Sequence, residues 1–510
     1  MEKIIIFGTA KRGDEVFAIL SQLPDYEIAA FSCNDQALWG TEKEGRTIIP
    51  PGDMRGLYPD AIVVIASGSH VEIERQLVEN RFVPGGGCRL PHQLIAPLSR
   101  VQRAALAAAV KRKTSFYNLD YREVAVPSDN GGGEKYLVIC GGGYPTAGNP
   151  RCMFAHERVL QYRRAGLQVE AFGLVEGASF EEYAYEGVRV FQGGELELEK
   201  FLQGRNYRKI LIHFISPEIM QAIDRAGKRD VPVIVWCHGF EVLPWYQCWF
   251  NYTWEEIKET KPAFILKDSE KKDFLRKIYA SESIHTVFVS EWLMNRSAKF
   301  AGRLPKNYHV IHNFIDYDFF TPPERVPGDR FSILSIKNHG TPMYANDLTA
   351  KAIIELSERS CFSNLRFHLY GDGKLFEENF GELAGRNFPN VHIHKQYLNH
   401  AEMRRLFQLN GIFLSPTRRD TQGVTANEAM AAGMAVISCN TSAIPEFMDE
   451  SCASLFEYDN YWMMAEEIEY LYEHPEEFMR KAENARKRMM EQCSYDKTIK
   501  RELELISTDD

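Results

Sequence analysis

The residues best suited by type and spacing to do chemistry lie in one stretch, Pro416-Thr417-Arg418-Arg419-Asp420-Thr421-Gln422-Gly423-Val424-Thr425-Ala426-Asn427-Glu428-Ala429-Met430-Ala431-Ala432-Gly433, directly after an apolar run ending near Ser415. The pattern predicts a strand that turns into a helix around Gly423. The first N–H groups of a helix have no intrahelical partner, and together with the helix dipole they favour an anion, which a glycine lets come close. Asp420 then falls on the loop and Glu428 near the second helical turn. A carboxylate on either side of an anion site suits a sugar nucleotide, whose hydroxyls donate to carboxylates while its phosphates take the amides. Taken in isolation, the same two residues also read as a turn aspartate and a solvated helix glutamate.

Other candidates are dispersed. Lys337 sits in Ser335-Ile336-Lys337-Asn338-His339-Gly340 after an apolar run. His238 follows Val231 to Cys237, where a histidine by itself reads as a core residue bonded to a carbonyl. Asp316-Tyr317-Asp318 spells an Asp-x-Asp, but in a loop after a strand, where caps and turns favour aspartate. Ten cysteines are scattered with no Cys-x-x-Cys pair, several of them inside apolar runs (Cys140, Cys237, Cys439), so neither zinc nor a structural disulfide is expected.

Composition narrows the class. The 510 residues allow roughly three domains. With 60 Lys and Arg against 70 Asp and Glu, the net charge of -10 repels a polyanion, and nucleic acid is not an expected partner. Apolar runs such as Ala61 to Ala66 are strand-sized, far short of the roughly 20 residues that span a bilayer, and Met1 to Gly8 reads as a strand entering a glycine turn rather than a secretion signal. A cytoplasmic protein with at most peripheral membrane contact is expected.

The elements that must position these residues alternate in β/α order. Candidate strands are Ile4 to Phe7, Ile28 to Phe31 and Ile62 to Ala66 in residues 1–90, followed by a helical connector and linker over 91–134 that ends in Pro127-Ser128-Asp129-Asn130-Gly131-Gly132-Gly133. A second unit, 135–325, starts with Tyr136 to Cys140 and continues through Val169 to Phe172, Lys209 to His213, Val231 to Cys237, Thr286 to Val289 and Tyr308 to Ile311. A third, 326–490, carries strands at Phe331 to Ser335, Leu365 to Tyr370, Val391 to His394, Ile412 to Ser415 and Ala435 to Ser438. Helical spacing from Tyr461 to about Leu505 closes the chain, with 491–510 placed as a helix crossing back to the second unit.

Residues 135 to 490 resemble family 4 GT-B glycosyltransferases, whose signature has two glutamates separated by seven residues and followed by Ala-Met-Ala-x-Gly; Asp420 stands at the first acidic position here. Similar landmarks are Gly141-Gly142-Gly143-Tyr144-Pro145 with Gly148-Asn149, His238-Gly239-Phe240-Glu241, Val289 to Leu293, Val310 to Asp316, Gly371-Asp372-Gly373 and Ile444-Pro445-Glu446. The resemblance implies an α/β chain in which a Rossmann-like N-terminal domain precedes the two Rossmann-like lobes of a GT-B enzyme. It implies retaining, metal-independent transfer of a sugar, of the hexosyltransferase kind, from a nucleoside diphosphate to a carbohydrate or lipid-linked glycan hydroxyl, with no cofactor. A GT-B epimerase or phosphorylase, or a non-catalytic binding protein, are the alternatives. His238, Asp420 and Glu428 are then the catalytic candidates, with Lys337, Gly423, Val424, Thr425 and Arg418 on the donor and Gly142, Gly143 and Asn149 on the cleft loop. The family's second basic position falls near Met343-Tyr344-Ala345, which has no cation, so His339, Arg418 or Arg419 would replace it. Residues 1–90 resemble the Rossmann-like domain of polysaccharide-biosynthesis proteins in Trp39-Gly40 through Ile48-Ile49-Pro50 and in Asp60 to Ala66; Gly8 to Gly13 lacks the Gly-x-Gly-x-x-Gly spacing and reads either as a nucleotide loop, with Asp35 as the ribose acid, or as close helix–strand packing.

Overall fold

The computed structural model describes residues 1–66, 73, 76–77, 88–89, 134–146 and 151–508. The expected helical connector, the glycine-rich linker and the Gly148-Asn149 pair lie outside these residues. The chain forms two compact units, one of Met1–Pro127 with Tyr252–Glu270 and one of Ser128–Asn251 with Lys271–Asp510.

The first unit holds a six-stranded sheet of order β3-β4-β2-β1-β5-β6, built from β1 (Glu2–Phe7), β2 (Tyr26–Ser32), β3 (Glu42–Lys43), β4 (Arg46–Ile49), β5 (Ile62–Ile65) and β6 (Cys88–Arg89). Strand β1 pairs in parallel with both β2 and β5, and its side chains alternate: Ile4 and Ile6 enter one core, Ile5 and Phe7 the other. Glycine is required after β1, because Gly8 has φ +134° and a Cβ there would lie 2.6 Å from the Ala66 carbonyl oxygen. Asp35 is occupied as a helix cap, its Oδ1 accepting from Ala37 N–H at 3.0 Å.

The second unit has two lobes. The first is an eight-stranded sheet of order β14-β13-β12-β11-β7-β8-β10-β9, comprising β7 (Lys135–Gly141), β8 (Gln168–Leu174), β9 (Glu181–Tyr185), β10 (Val188–Gly193), β11 (Lys209–His213), β12 (Val233–Cys237), β13 (Ile284–Phe288) and β14 (Asn307–Val310); only β9 runs antiparallel. The second is an all-parallel sheet of order β17-β16-β15-β18-β19-β20, comprising β15 (Ser332–Ile336), β16 (Arg366–Gly371), β17 (Val391–Lys395), β18 (Ile412–Ser415), β19 (Ala435–Cys439) and β20 (Ala453–Phe456). Strand order reverses at β7 and at β15, and such reversals open a crevice beyond the carboxyl ends of parallel strands. Both faces of each sheet are covered, so the central strands read as unbroken apolar runs.

The C-terminal helices tie the lobes together. Helix Pro475–Cys493 buries Phe478, Ala485 and Met489 on the second lobe. Helix Ile499–Ser507 then packs Ile499, Leu505 and Ile506 into the core of the first lobe. There the fully buried Glu502 accepts from Arg158 Nε at 2.9 Å, Tyr162 Oη at 2.5 Å and Trp236 Nε1 at 3.0 Å, while Arg158 Nη1 also donates to Asn313 Oδ1 at 2.9 Å. Removing one partner of such a pair leaves the other charge buried alone, at a cost of about 3–5 kcal/mol. Glu502→Ala is expected to lower the melting temperature of this unit by several degrees, measured by scanning calorimetry, and an unchanged transition would show that the network carries no stability.

Candidate active site

The strand-to-helix turn is organised by Asp420. Its Oδ1 accepts from the backbone N–H groups of Thr421 (2.8 Å), Gln422 (3.1 Å) and Gly423 (2.8 Å), and Gly423, at φ +80°, then starts helix Val424–Ala431. The carboxylate thus takes the Gly423 amide itself, and the first-turn N–H groups of Val424, Thr425 and Ala426 have no intrahelical carbonyl to meet, since the first such bond runs from Asn427 to the Gly423 carbonyl. None of the three bonds uses Oδ2.

Glu428, one turn on, is 6% exposed and faces His400, whose Nε2 lies 3.5 Å from its carboxylate; His400 Nδ1 is 3.2 Å from Glu157 of the first lobe. Burial pushes the Glu428 carboxyl up to about 7, with the His400 charge opposing it. Burial also disfavours charge on His400, but the hydrogen bond to Glu157 and the charges of Glu428 and Glu157 outweigh it and raise its pKa to about 9. Neither His400 nor Glu157 was legible as a site residue, since each is one of several polar residues on its helix and meets the other only through the fold.

The cations sort clearly. Lys337, next after β15, is 9% exposed, and its Nζ sits 6.0 Å from the Tyr344 ring; burial lowers its pKa and the Asp420 charge opposes this. Among the described residues no carboxylate lies within 4 Å of its ammonium. Arg418 is spent on Asp347, at 2.9 and 2.8 Å, and on Asp459, at 2.8 Å. His339 is fully buried between Phe376 and Phe380, and burial takes its pKa to about 4, so it is neutral and no substitute cation. Gly371 and Gly373 permit this, since a Cβ on Gly371 would lie 2.0 Å from the Lys337 carbonyl oxygen and one on Gly373 2.4 Å from the His339 carbonyl carbon. Arg419 is 7% exposed, and among the described residues its Nη1 has no hydrogen-bond partner.

On the first lobe, His238 follows β12 with its Nε2 2.9 Å from His213 Nδ1, and Phe154 packs 4.4 Å from its ring. Burial holds both imidazoles well below their usual pKa, so both are neutral and one facing nitrogen donates while the other accepts. Glu241 accepts from the His238 and Gly239 N–H groups, the latter at 2.9 Å, and burial raises it to about 7 despite those bonds. Gly142 and Gly143 follow β7 with φ +88° and +104°, conformations that favour glycine. Asp316 accepts from Phe319 N–H at 2.9 Å, as a turn residue does.

Three polar ties join the lobes beside these residues. Thr421 Oγ1 donates to the His238 carbonyl at 2.7 Å. Gln422 Oε1 accepts from Asn313 N–H at 2.6 Å while its Nε2 donates to the Asn313 carbonyl at 3.1 Å. Glu446 accepts from the first N–H groups of helix Glu291–Ala301, Glu291 at 2.8 Å and Trp292 at 3.1 Å. Asp420, Glu428, Lys337 and His238 are therefore carried on loops and helix starts that meet at the crevice between the lobes.

Two Rossmann-like lobes facing each other across such a crevice define the GT-B fold. Residues 331–474 match the family described as Glycosyl transferases group 1, and residues 1–83 match the one described as C2185-like, N-terminal. No curated protein matches the chain in sequence. Among solved structures it resembles a sucrose-phosphate synthase from Thermosynechococcus elongatus (12% identity, TM-score 0.56, 73% of this chain and 98% of that one) and Anabaena Alr3699/HepE in complex with UDP-glucose (12%, 0.55, 73% and 99%). It also resembles WaaG, a glycosyltransferase involved in lipopolysaccharide biosynthesis (15%, 0.55, 73% and 99%). The chain thus carries a glycosyltransferase group 1 domain in a GT-B framework. Among the described residues no helix is long and apolar enough to cross a membrane.

The His400 pair gives a pH test. Its folded pKa, about 9, exceeds the ordinary value near 6.5, so its stabilisation is fully present below about pH 6.5 and is lost as pH rises through 9. The melting-temperature difference between the natural protein and His400→Gln is expected to be largest near pH 6 and to vanish above about pH 9; a difference that does not shrink with pH would overturn the pairing.

Proposed function

We propose that the protein transfers a sugar from a nucleoside diphosphate to an acceptor hydroxyl, with retention and without a metal. The observation that carries the reading is the second-lobe crevice within the matched domain, where Lys337, the Val424 and Thr425 amides and Glu428 sit at the ends of β15 and β18. In it, the ribose hydroxyls donate to Glu428, the diphosphate takes the helix-start amides and Lys337, and Asp420 Oδ2 receives a hydroxyl of the donor sugar. His238 positions that sugar from the other lobe. Departure of the diphosphate is eased by these donors, which act most strongly where charge develops, and a leaving phosphate oxygen takes the acceptor proton. UDP-sugars are the first donors to test, since Alr3699/HepE is described with UDP-glucose. Polysaccharide or lipid-linked glycan synthesis in the cytoplasm is the context this reading favours.

Incubation with a panel of sugar nucleotides, following free nucleotide by chromatography and the product anomer by NMR, tests this. Turnover with retained anomeric configuration is expected, and it is expected to persist in EDTA. Isomerised donor, or phosphate consumption in place of transfer, would overturn it. Losing one preorganised donor costs roughly 10²–10³ in rate, so Lys337→Met is expected to lower turnover by about 100-fold with an unchanged circular-dichroism spectrum; full activity would remove Lys337 from the site.

A further inference from the structure

A second feature lies beside this crevice. The two lobes wall a cleft of about 310 Å³, at the small end of ligand sites, which run from roughly 300 to 1,000 Å³. Trp249, Trp292 and Arg296 line it from the first lobe and Arg419, Ser442 and Tyr458 from the second. Lys337, Gly423, Val424 and Glu428 do not line it.

Its charge is unusual. Arg418 also lines the cleft, but its charge is matched by Asp347 and Asp459. Arg419 is more than nine-tenths buried; Nη2 donates to Met343 Sδ at 3.6 Å, a weak acceptor, the Cys248 thiol is a further side-chain neighbour, and among the described residues Nη1 has no hydrogen-bond partner. Among the described residues no carboxylate lies within 4 Å of it. A buried guanidinium without a counter-charge is costly unless something supplies one. Arg296 adds a second positive charge at the exposed rim, its guanidinium 5.8 Å from the Trp292 ring. The remaining wall is aromatic rings, hydroxyls and the Gln247 amide, with Ser442 held at φ +53°, where non-glycine residues are uncommon. Flat aromatic faces pack on the C–H face of a pyranose ring, hydroxyls meet its hydroxyls, and a guanidinium receives a phosphate or carboxylate through two parallel hydrogen bonds.

We infer that this cleft receives the acceptor, and that the acceptor sugar carries an anionic group, a phosphate or a carboxylate, held by Arg419 with Arg296 at the rim. The inference rests on the glycosyl-transfer reading for the word acceptor; the anionic-sugar site itself does not.

The test measures binding to the full chain by calorimetry and saturation-transfer NMR, using glucose 6-phosphate, glucuronic acid, glucose, inorganic phosphate and UDP. At least one anionic sugar is expected to bind tenfold or more tightly than both glucose and inorganic phosphate, and the stronger of the two names the group as phosphate or carboxylate. Arg419→Met is expected to weaken that sugar at least tenfold and to leave UDP affinity within twofold, while Arg419→Lys restores part of the loss; spectra and melting temperatures establish that both variants fold. Equal binding of glucose and the anionic sugars, or inorganic phosphate binding as well as a sugar phosphate, would overturn the site. Parallel loss of UDP affinity in Arg419→Met would instead assign the guanidinium to the nucleotide and overturn the inference. Failure of the natural protein to bind UDP or turn over any sugar nucleotide, with anionic-sugar binding intact, would count against glycosyl transfer alone.

Discussion

Parallel pairing is the constraint on which the rest depends. A strand in a parallel sheet can be followed by another only after a crossover, so all carboxyl ends open along one edge. In the second unit that edge carries nearly every residue with chemistry. Gly142 follows β7, His238 follows β12, Lys337 follows β15, the Asp420 turn follows β18 and Ser442 follows β19. The reversals of strand order at β7 and β15 leave no neighbouring crossover to fill the space in front of them. Chemistry is placed there because it is where backbone N–H groups and side chains converge without a packed element on top.

The turn after β18 shows how tightly the local and tertiary demands are linked. Asp420 binds three consecutive N–H groups, which fixes the loop before a ligand arrives. The two residues that follow it, Thr421 and Gln422, then reach the first lobe through the His238 carbonyl and the Asn313 backbone. A change at Asp420 therefore acts on the anion site and on lobe contact together. The pairing of Glu428 with His400 and Glu157 does the same one turn later, and it keeps a buried carboxylate supplied with a counter-charge.

Much of this architecture was legible in the order of residues. Unbroken runs such as Lys209 to His213 and Ile412 to Ser415 coincide with strands, since a strand covered on both faces has no polar alternation to confuse it. Edge elements were not legible: β9, Glu181–Tyr185, reads Glu-Glu-Tyr-Ala-Tyr with no apolar run, and β20, Ala453–Phe456, opens on the small residues Ala453 and Ser454. Helix Trp254–Ala280 escaped because it carries Pro262 and little apolar periodicity. At the site, Asp420, Glu428 and Lys337 could be found from a local turn pattern and a resemblance. Residues whose meaning lies in a distant partner could not. His213 reads as a strand residue until it meets His238, and Arg418 and Arg419, adjacent and alike in sequence, differ only because Asp347 and Asp459 meet the first and not the second.

The return of the chain to its starting lobe has a mechanical consequence. The polypeptide passes between the lobes twice, once between β14 and β15 and again between helices Pro475–Cys493 and Ile499–Ser507. Two tethers define a line, and rigid bodies held at two points on a line keep one easy motion, rotation about it. Glu502 makes the second tether firm by anchoring the last helix in the core of the first lobe. Opening of the crevice is thereby reduced from a general displacement to a single angle, so that every swing brings the same pairs of residues back into register.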